Sequence, residues 1–547
     1  MTTLPTAPAE ARPGTGPGAP DFTPTGALLA AQAPRSPVHV LHRHRDGARG
    51  VLLATGPEAR PPEDSSWQVM GSLPPLLPEW LGDAAFLAAH RVQLPYVVGE
   101  MANGIASGAM VVAAARAGML GVFGAAGLAP GKVEKEVAGI RQELGNGPGW
   151  AVNLIHSPSE RGMEDVVADL LLTHRVPTVS VSAFMELTPA VGRLALSGIR
   201  RLPDGSVHRP VRIMAKVSRP ETARAFMSPA PPDLVATLVA AGHIDADEAH
   251  VAARVPIAED ITAEADSGGH TDNRPLSALL PRLIALREEL AANGLPVARI
   301  GAAGGLGTPH AVAAAFAAGA AYVVTGSVNQ TAVEAGVSEE ARALLAGADL
   351  TDTVMAPAAD MFELGVQVQV LARGTMFARR ARLLYHLYQQ YGSLDDLPGA
   401  VRTRLERELL RATVEEVWTE TEGFWQRRDP RELERAAGDP RHRMALLFRW
   451  YLGQSSRWAI TGTADRRLDY QLWCGPAIGA FNHWVAGSFL AAPEARTVSA
   501  IGWNLLEGAT AITRAQQLRA AGVPVPSSAF AFVPRRPARP VAPAPAL

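Results

Sequence analysis

The chain has 547 residues, and its 51 basic against 53 acidic side chains leave a formal charge of -2. A hydrophobic share of 47% supplies ample core material, and the near-neutral charge argues against a nucleic-acid binder, which shows a basic face. One cysteine, Cys474, excludes an internal disulfide and points to a reducing compartment. No 18-residue apolar run and no basic-then-apolar leader is read, so a cytoplasmic protein without a membrane partner is expected. Of the basic residues only Lys132, Lys135 and Lys216 are lysine, which singles out each lysine that arginine has not replaced.

Residues 1–36 are Ala, Pro, Gly and Thr with almost no large apolar side chain, and are expected to be disordered. An N-terminal cap is expected over 37–82, where VHVLHRHRDGARGVLLAT (38–55) alternates and turns at Asp46-Gly47 as a hairpin does. From Tyr96 a repeating pattern begins. Short apolar runs at 96–101, 121–127, 150–156, 178–183, 211–218, 259–265, 298–305 and 322–327 end in Gly, Asn, Ser or Thr and alternate with segments of helical spacing. Continuous apolar strands imply a parallel sheet buried on both faces, and eight such units predict an α/β fold, a (β/α)8 TIM barrel, over 83–375. An insertion at 219–255 reads as two short helices. A helical domain follows over 376–522, holding seven of the ten Trp, most of them expected in its core. Residues 523–547 read as an extended Pro/Arg-rich tail.

In such a barrel the C-terminal strand ends face the active site. They carry Gly99, Met101 and Asn103; Asn153 and His156; Lys216 and Ser218; the loop 266–273 (DSGGHTDN); Gly304 and Gly305; and Gly326, Ser327 and Asn329. Four of the chain's eight Asn sit there. Gly304, Gly305 and Gly326 let backbone N–H groups approach a phosphate, and a helix starting at Thr308-Pro309 adds a positive dipole end; the plainer alternative is a pair of tight turns. GAAGGLG lacks the spacing of a dinucleotide fingerprint, so a Rossmann fold is rejected. Lys216 is either a cation beside a ligand anion or a strand-end lysine reaching solvent. His270 is a candidate general acid or base, oriented by Asp266 and Asp272 unless these only cap the turn. Glu100 reads as a satisfied inner-barrel carboxylate, and no metal site is assigned.

GEMANGIAS (99–107), NLIHSP (153–158), AKVSRPE (215–221), EADSGGHTDNRP (264–275), AAGGLGTP (302–309), TGSVNQ (325–330), MAPAADMFELG (355–365), FRWYLGQSSRWA (448–459) and DYQLWCGPAIGAFNHW (469–484) resemble the PfaD family, the trans-acting enoyl reductases of polyunsaturated fatty acid and polyketide synthases. The resemblance spans about residues 80–520. The family's barrel is similar to nitronate monooxygenases and to FMN-dependent bacterial enoyl reductases. It implies FMN over the barrel mouth, with Met101, Ala102, Asn103, Asn153 and Lys216 toward the ring and ribityl chain. Gly304, Gly305, Gly326 and Ser327 would then hold the phosphate, Ser267 and Gly269 would also touch the cofactor, and His270 would be the catalytic histidine. NADPH (or NADH) would be the hydride donor and an acyl carrier protein domain the partner, with homo-oligomers allowed. The alternative activity is a nitronate monooxygenase-like flavin oxidase. Asp266 and Ser327 stand where relatives carry Glu and Thr.

Overall fold

A computed structural model describes residues 18–54, 64–157 and 162–536. Eight strands, β1 (Tyr96–Val98), β2 (Leu120–Phe123), β3 (Ala151–Ile155), β4 (Thr178–Ser182), β5 (Arg212–Val217), β6 (Asp260–Glu264), β7 (Arg299–Ala303) and β8 (Val323–Thr325), close into a barrel in sequence order. Each pairs in parallel with its neighbours, and β8 returns to β1. Parallel neighbours need long crossovers, here mostly amphipathic helices such as Gly108–Arg116 and Pro130–Leu144. The strands therefore lose both faces to solvent exclusion, and Val97, Val122, Val152, Val179 and Ile261 are wholly buried. The TIM barrel expected from the alternation is the fold observed.

The N-terminal end of the barrel is plugged. Asp260 is fully buried, accepts from Arg299 at 2.7 and 2.8 Å, and pairs with His90 Nε2 at 2.9 Å. Burial alone would raise its pKa, but His90 and Arg299 outweigh that and hold it at about 2. Phe86 stacks on Tyr322 beside it, with centroids 4.3 Å apart.

The insertion after β5 contains helices Pro232–Ala240 and Ala246–Ala252, the expected pair, preceded by Pro220–Phe226. Asp245 and Glu248 form a capping box that starts the last of them. Past β8 comes a feature the periodicity did not announce. Thr353–Pro357 and Gln367–Leu371 pair antiparallel, and Gly269–His270, from the loop after β6, adds to their edge. Helices Phe377–Gln390 and Pro440–Thr461 then share a core of Phe362, Phe377, Leu384, Phe448 and Tyr451. Trp418, Trp450, Trp458 and Trp473 line that core only partly buried, and arginines cover several rings: Arg443 lies 4.6 Å over Trp418, and Arg466 4.3 Å over Trp458.

The chain forms two compact units, Met1–Leu81 with Leu505–Val533, and Gly82–Asn504 with Pro534–Leu547. These divisions fall at the end of the expected cap and inside the expected helical domain. The first unit holds a three-stranded antiparallel sheet of Val38–Arg43, Arg49–Leu53 and Trp67–Leu73, its first two strands forming the expected hairpin. It also corrects the reading of 1–36 as disordered, because Pro24–Gln32 is a helix capped by Thr23. Small size lets its Ala27, Ala30 and Ala31 pack in one buried cluster with Ala515 and Leu518. Val523, Ala529 and Phe532, expected in a loose tail, are buried. The remainder of those two expectations, at 1–17 and 537–547, lies outside the described residues. Among the described residues no helix is long and apolar enough to cross a membrane.

Candidate active site

The glycines after β7 and β8 divide into two kinds. Gly304 has φ +90°, and a Cβ there would lie 2.7 Å from the Ala265 carbonyl carbon and the Asp266 oxygen, so it exists to let two loops touch. Gly305, at φ +72°, has nothing within 4 Å of its Cβ position, and Gly326 meets only Met101 Cγ at 4.0 Å. These two face open space. None of the backbone N–H groups of Gly304, Gly305, Gly326 or Ser327 donates to a carbonyl among the described residues. The helix Pro309–Ala317 starts where expected, with Thr308 capping Ala311 N at 3.3 Å. Ser267 Oγ is buried without a partner among the described residues, and Gly269, at φ +79°, is open as well. Open glycines, free N–H groups and an orphaned hydroxyl are what a phosphate monoester would satisfy, so these residues fit the phosphate of FMN.

On the β1 side, Met101 is 9% exposed and borders Gly326. Ala102 and Asn103 form the turn behind it; Asn103 has φ +60° and donates to Ser456 Oγ at 3.3 Å. Asn153 is buried and donates to the Ser180 carbonyl and to Ser182 Oγ, both at 3.0 Å. Lys216 does not reach into solvent, the plainer of its two alternatives. It lies across the mouth with Nζ 2.8 Å from Glu264 and 3.2 Å from Glu100, its side chain 13% exposed. Burial would lower its pKa, but the two carboxylates outweigh that and raise it. Glu100 also accepts from Ser180 Oγ at 3.0 Å, which makes it the satisfied carboxylate expected. Lys216 with its two glutamates carries a formal charge of -1, so the three groups together present no net positive field.

His270 is held by the edge pairing of Gly269–His270 with Gln369 and Val368. Its Nε2 lies 3.2 Å from Asp360 Oδ1, on the turn between Thr353–Pro357 and Gln367–Leu371. The His270 side chain is 40% exposed, so only partial desolvation opposes the charged imidazole; Asp360, with a further contribution from Glu264, outweighs it and raises the pKa. Of the two orienting carboxylates expected from sequence, neither holds His270. Asp266 accepts from Asn273 at 2.8 Å, and Asp272 accepts from Ser218 at 2.6 Å and Arg219 at 3.0 Å, so both shape the loop. Asp360 stands 90 positions away, beyond any local spacing rule, although it falls inside the motif MAPAADMFELG. A second histidine–carboxylate pair was also missed as such: His156 Nδ1 lies 2.6 Å from Glu164 at the end of β3.

A family model for the inserted helical domain of acyl-carrier-protein S-malonyltransferases matches residues 391–470. A polyunsaturated fatty acid synthase subunit of Thraustochytrium sp. is 46% identical over 448 residues, an alignment that takes in 80% of this chain and 30% of that relative. The polyketide biosynthesis protein PksE of Bacillus subtilis is 42% identical over 430 residues, covering 78% of this chain and 56% of PksE. The chain thus spans between about a third and just over half of these relatives. Among solved structures, the enoyl reductase domain of MlnA from Bacillus amyloliquefaciens matches with a TM-score of 0.77 and 34% identity, over 81% of this chain and 99% of that domain. Barrel, mouth loops and appended helices therefore define a (β/α)8 barrel of the enoyl reductase type. Within that class the chain belongs to the PfaD family.

Proposed function

We propose that this protein is an FMN-dependent enoyl reductase that acts in trans. Its substrates are 2-enoyl thioesters on acyl carrier protein domains of a polyketide or polyunsaturated fatty acid synthase, and NADPH is the hydride donor. The observation that carries the reading is the pairing, on touching loops after β6 and β7, of an open glycine cradle with a carboxylate-paired histidine. Bound FMN would supply the hydride relay between NADPH and the β-carbon of the enoyl thioester. The chain's own residues do the rest. Gly305, Gly326 and Ser327 would hold the phosphate, and Met101, Ala102 and Asn103 with Asn153 would wall the cofactor in. Lys216, held between Glu100 and Glu264, would have one N–H left to give the cofactor.

His270 is the proton-handling group. Pairing with Asp360 favours its protonated form, which suits a group that donates to the thioester carbonyl or delivers the proton to the α-carbon. The relatives named as a fatty acid synthase component and a polyketide biosynthesis protein support a carrier-bound substrate. A His270→Ala enzyme should retain FMN and lose about 10²–10⁴-fold in reduction of a crotonyl carrier-protein thioester. Full turnover in that variant removes the assignment of His270.

A further inference from the structure

The motif DYQLWCGPAIGAFNHW lies outside the barrel, about 140 residues beyond its last strand, and the proposed reaction gives it no task. Its central segment, 473–477, touches all three loops that surround the glycine cradle. A Cβ on Gly268, after β6, would stand 2.6 Å from Cys474 Cα and 2.8 Å from its nitrogen and carbonyl carbon. After β7, Gly307 has room for no side chain because the Ala477 carbonyl occupies the place. After β8, Ser327 Oγ accepts from Gly475 N at 3.0 Å, and Gln330 Nε2 donates to the Trp473 carbonyl. The segment is fixed from behind as well. Leu371 N donates to the Leu472 carbonyl at 2.8 Å, and Val370 bridges Trp473.

Two further details aim this segment at a ligand. Because Ser327 Oγ already accepts from Gly475, its own proton is left to donate elsewhere. The loop that Gly475 abuts also carries Ser267, whose Oγ is buried and has no hydrogen-bond partner among the described residues. A Cβ on Gly475 would lie 2.9 Å from Gln369 Oε1 and 3.1 Å from the Ser267 carbonyl carbon. A hydroxyl can donate to an anion, and a buried one left unpaired on the loop this segment grips points to a ligand that satisfies it.

From these contacts we infer that Trp473–Gly475 is a clasp that completes the anion site for the cofactor's phosphate. It locks the loops after β6, β7 and β8 into the geometry that binds and turns the Ser327 hydroxyl toward the ligand. The barrel by itself then carries an incomplete cofactor site. This rests on the FMN reading above.

Coupling of this kind is reciprocal, so FMN must order the clasp as the clasp favours FMN. Hydrogen exchange on the full chain with and without FMN reads it directly. Protection should rise at 304–307 and 326–327 and also at the amides of 473–475 and 477. In Gln330→Met, which keeps side-chain length but removes the donor to Trp473, the FMN dissociation constant from flavin fluorescence should rise about tenfold. A purely structural role would lower the melting temperature of that variant and leave the constant unchanged. FMN binding that protects the glycine loops but not 473–477, or an unchanged constant in Gln330→Met, overturns the clasp and leaves the cofactor reading standing. Failure of the wild-type chain to bind FMN at all overturns both.

Discussion

Lys216→Met isolates the charge cluster at the barrel mouth. In the wild type one ammonium sits 2.8 and 3.2 Å from two carboxylates whose side chains are 23% and 7% exposed. Methionine fills similar volume but leaves Glu100 and Glu264 facing each other without a cation. Breaking a buried ion pair by removing one partner costs about 3–5 kcal/mol, and the partial access of Glu264 to water places this case at the lower end. For a cooperative unit of roughly 420 residues the unfolding entropy is about 0.9 kcal/mol per degree, so the melting point falls only about 3–4 °C. Urea titration of the apoprotein by circular dichroism therefore measures the effect better than melting does. Adding Glu100→Gln to Lys216→Met should recover at least about 1 kcal/mol, while Glu100→Gln alone should destabilise; close charged partners couple by about 0.5–3 kcal/mol. If Lys216→Met falls within about 0.5 kcal/mol of wild type, the range of ordinary surface substitutions, the cluster does not hold the mouth together and the reasoning fails.

Asp360→Asn removes the group that raises the His270 pKa. The alkaline limb of the pH–rate profile should therefore move to lower pH, and Asp360→Glu should restore part of the shift; an unmoved limb would detach Asp360 from the chemistry. Stability follows the same sign, since the His270–Asp360 contribution is full below the unfolded histidine pKa and is lost as pH rises through the raised folded value. Gly304→Ala and Gly305→Ala should separate. The first meets backbone at 2.7 Å and should lose more than about 2 kcal/mol of stability. The second meets nothing, should cost only the about 1–2 kcal/mol of left-handed backbone strain, and should lose flavin affinity; the reverse pattern would contradict the cradle. Burial, with a smaller push from Asp352, raises the Cys474 thiol to about 12. This single thiol should thus stay unreactive toward iodoacetamide at pH 8 in the native protein and react once on unfolding; native-state labelling would mean that the segment opens.

Local signals account for what the sequence revealed. All eight barrel strands were legible because a parallel strand buried on both faces reads as a short apolar run, and each run found its strand, from Tyr96–Val98 to Val323–Thr325. The glycine loops were legible for a related reason: only glycine tolerates φ near +90° or a neighbouring backbone at 2.7 Å. Asp360 was not, because it reaches His270 through a hairpin whose strands are only five residues each and whose pairing edge is the two-residue strand Gly269–His270. Glu264 was hidden for another reason. It ends an apolar strand beside a conspicuous Asp-Ser-Gly-Gly-His loop, and only the fold brings it to Lys216. Pro24–Gln32 was misread because alanine-rich sequence with few large side chains looks unable to bury surface, yet three alanines suffice where the partner presents Ala515 and Leu518.

Transfer of reducing equivalents from NADPH through bound FMN to an enoyl thioester, as proposed, is tested most directly by anaerobic flavin spectra. NADPH should bleach the flavin absorbance of the FMN-loaded protein. Crotonyl carrier-protein thioester added without oxygen should then restore the oxidised spectrum in step with formation of the butyryl thioester. Flavin that is indifferent to the thioester and recovers its spectrum only on admitting air, or with a nitronate and oxygen, would contradict the account and identify an oxidase.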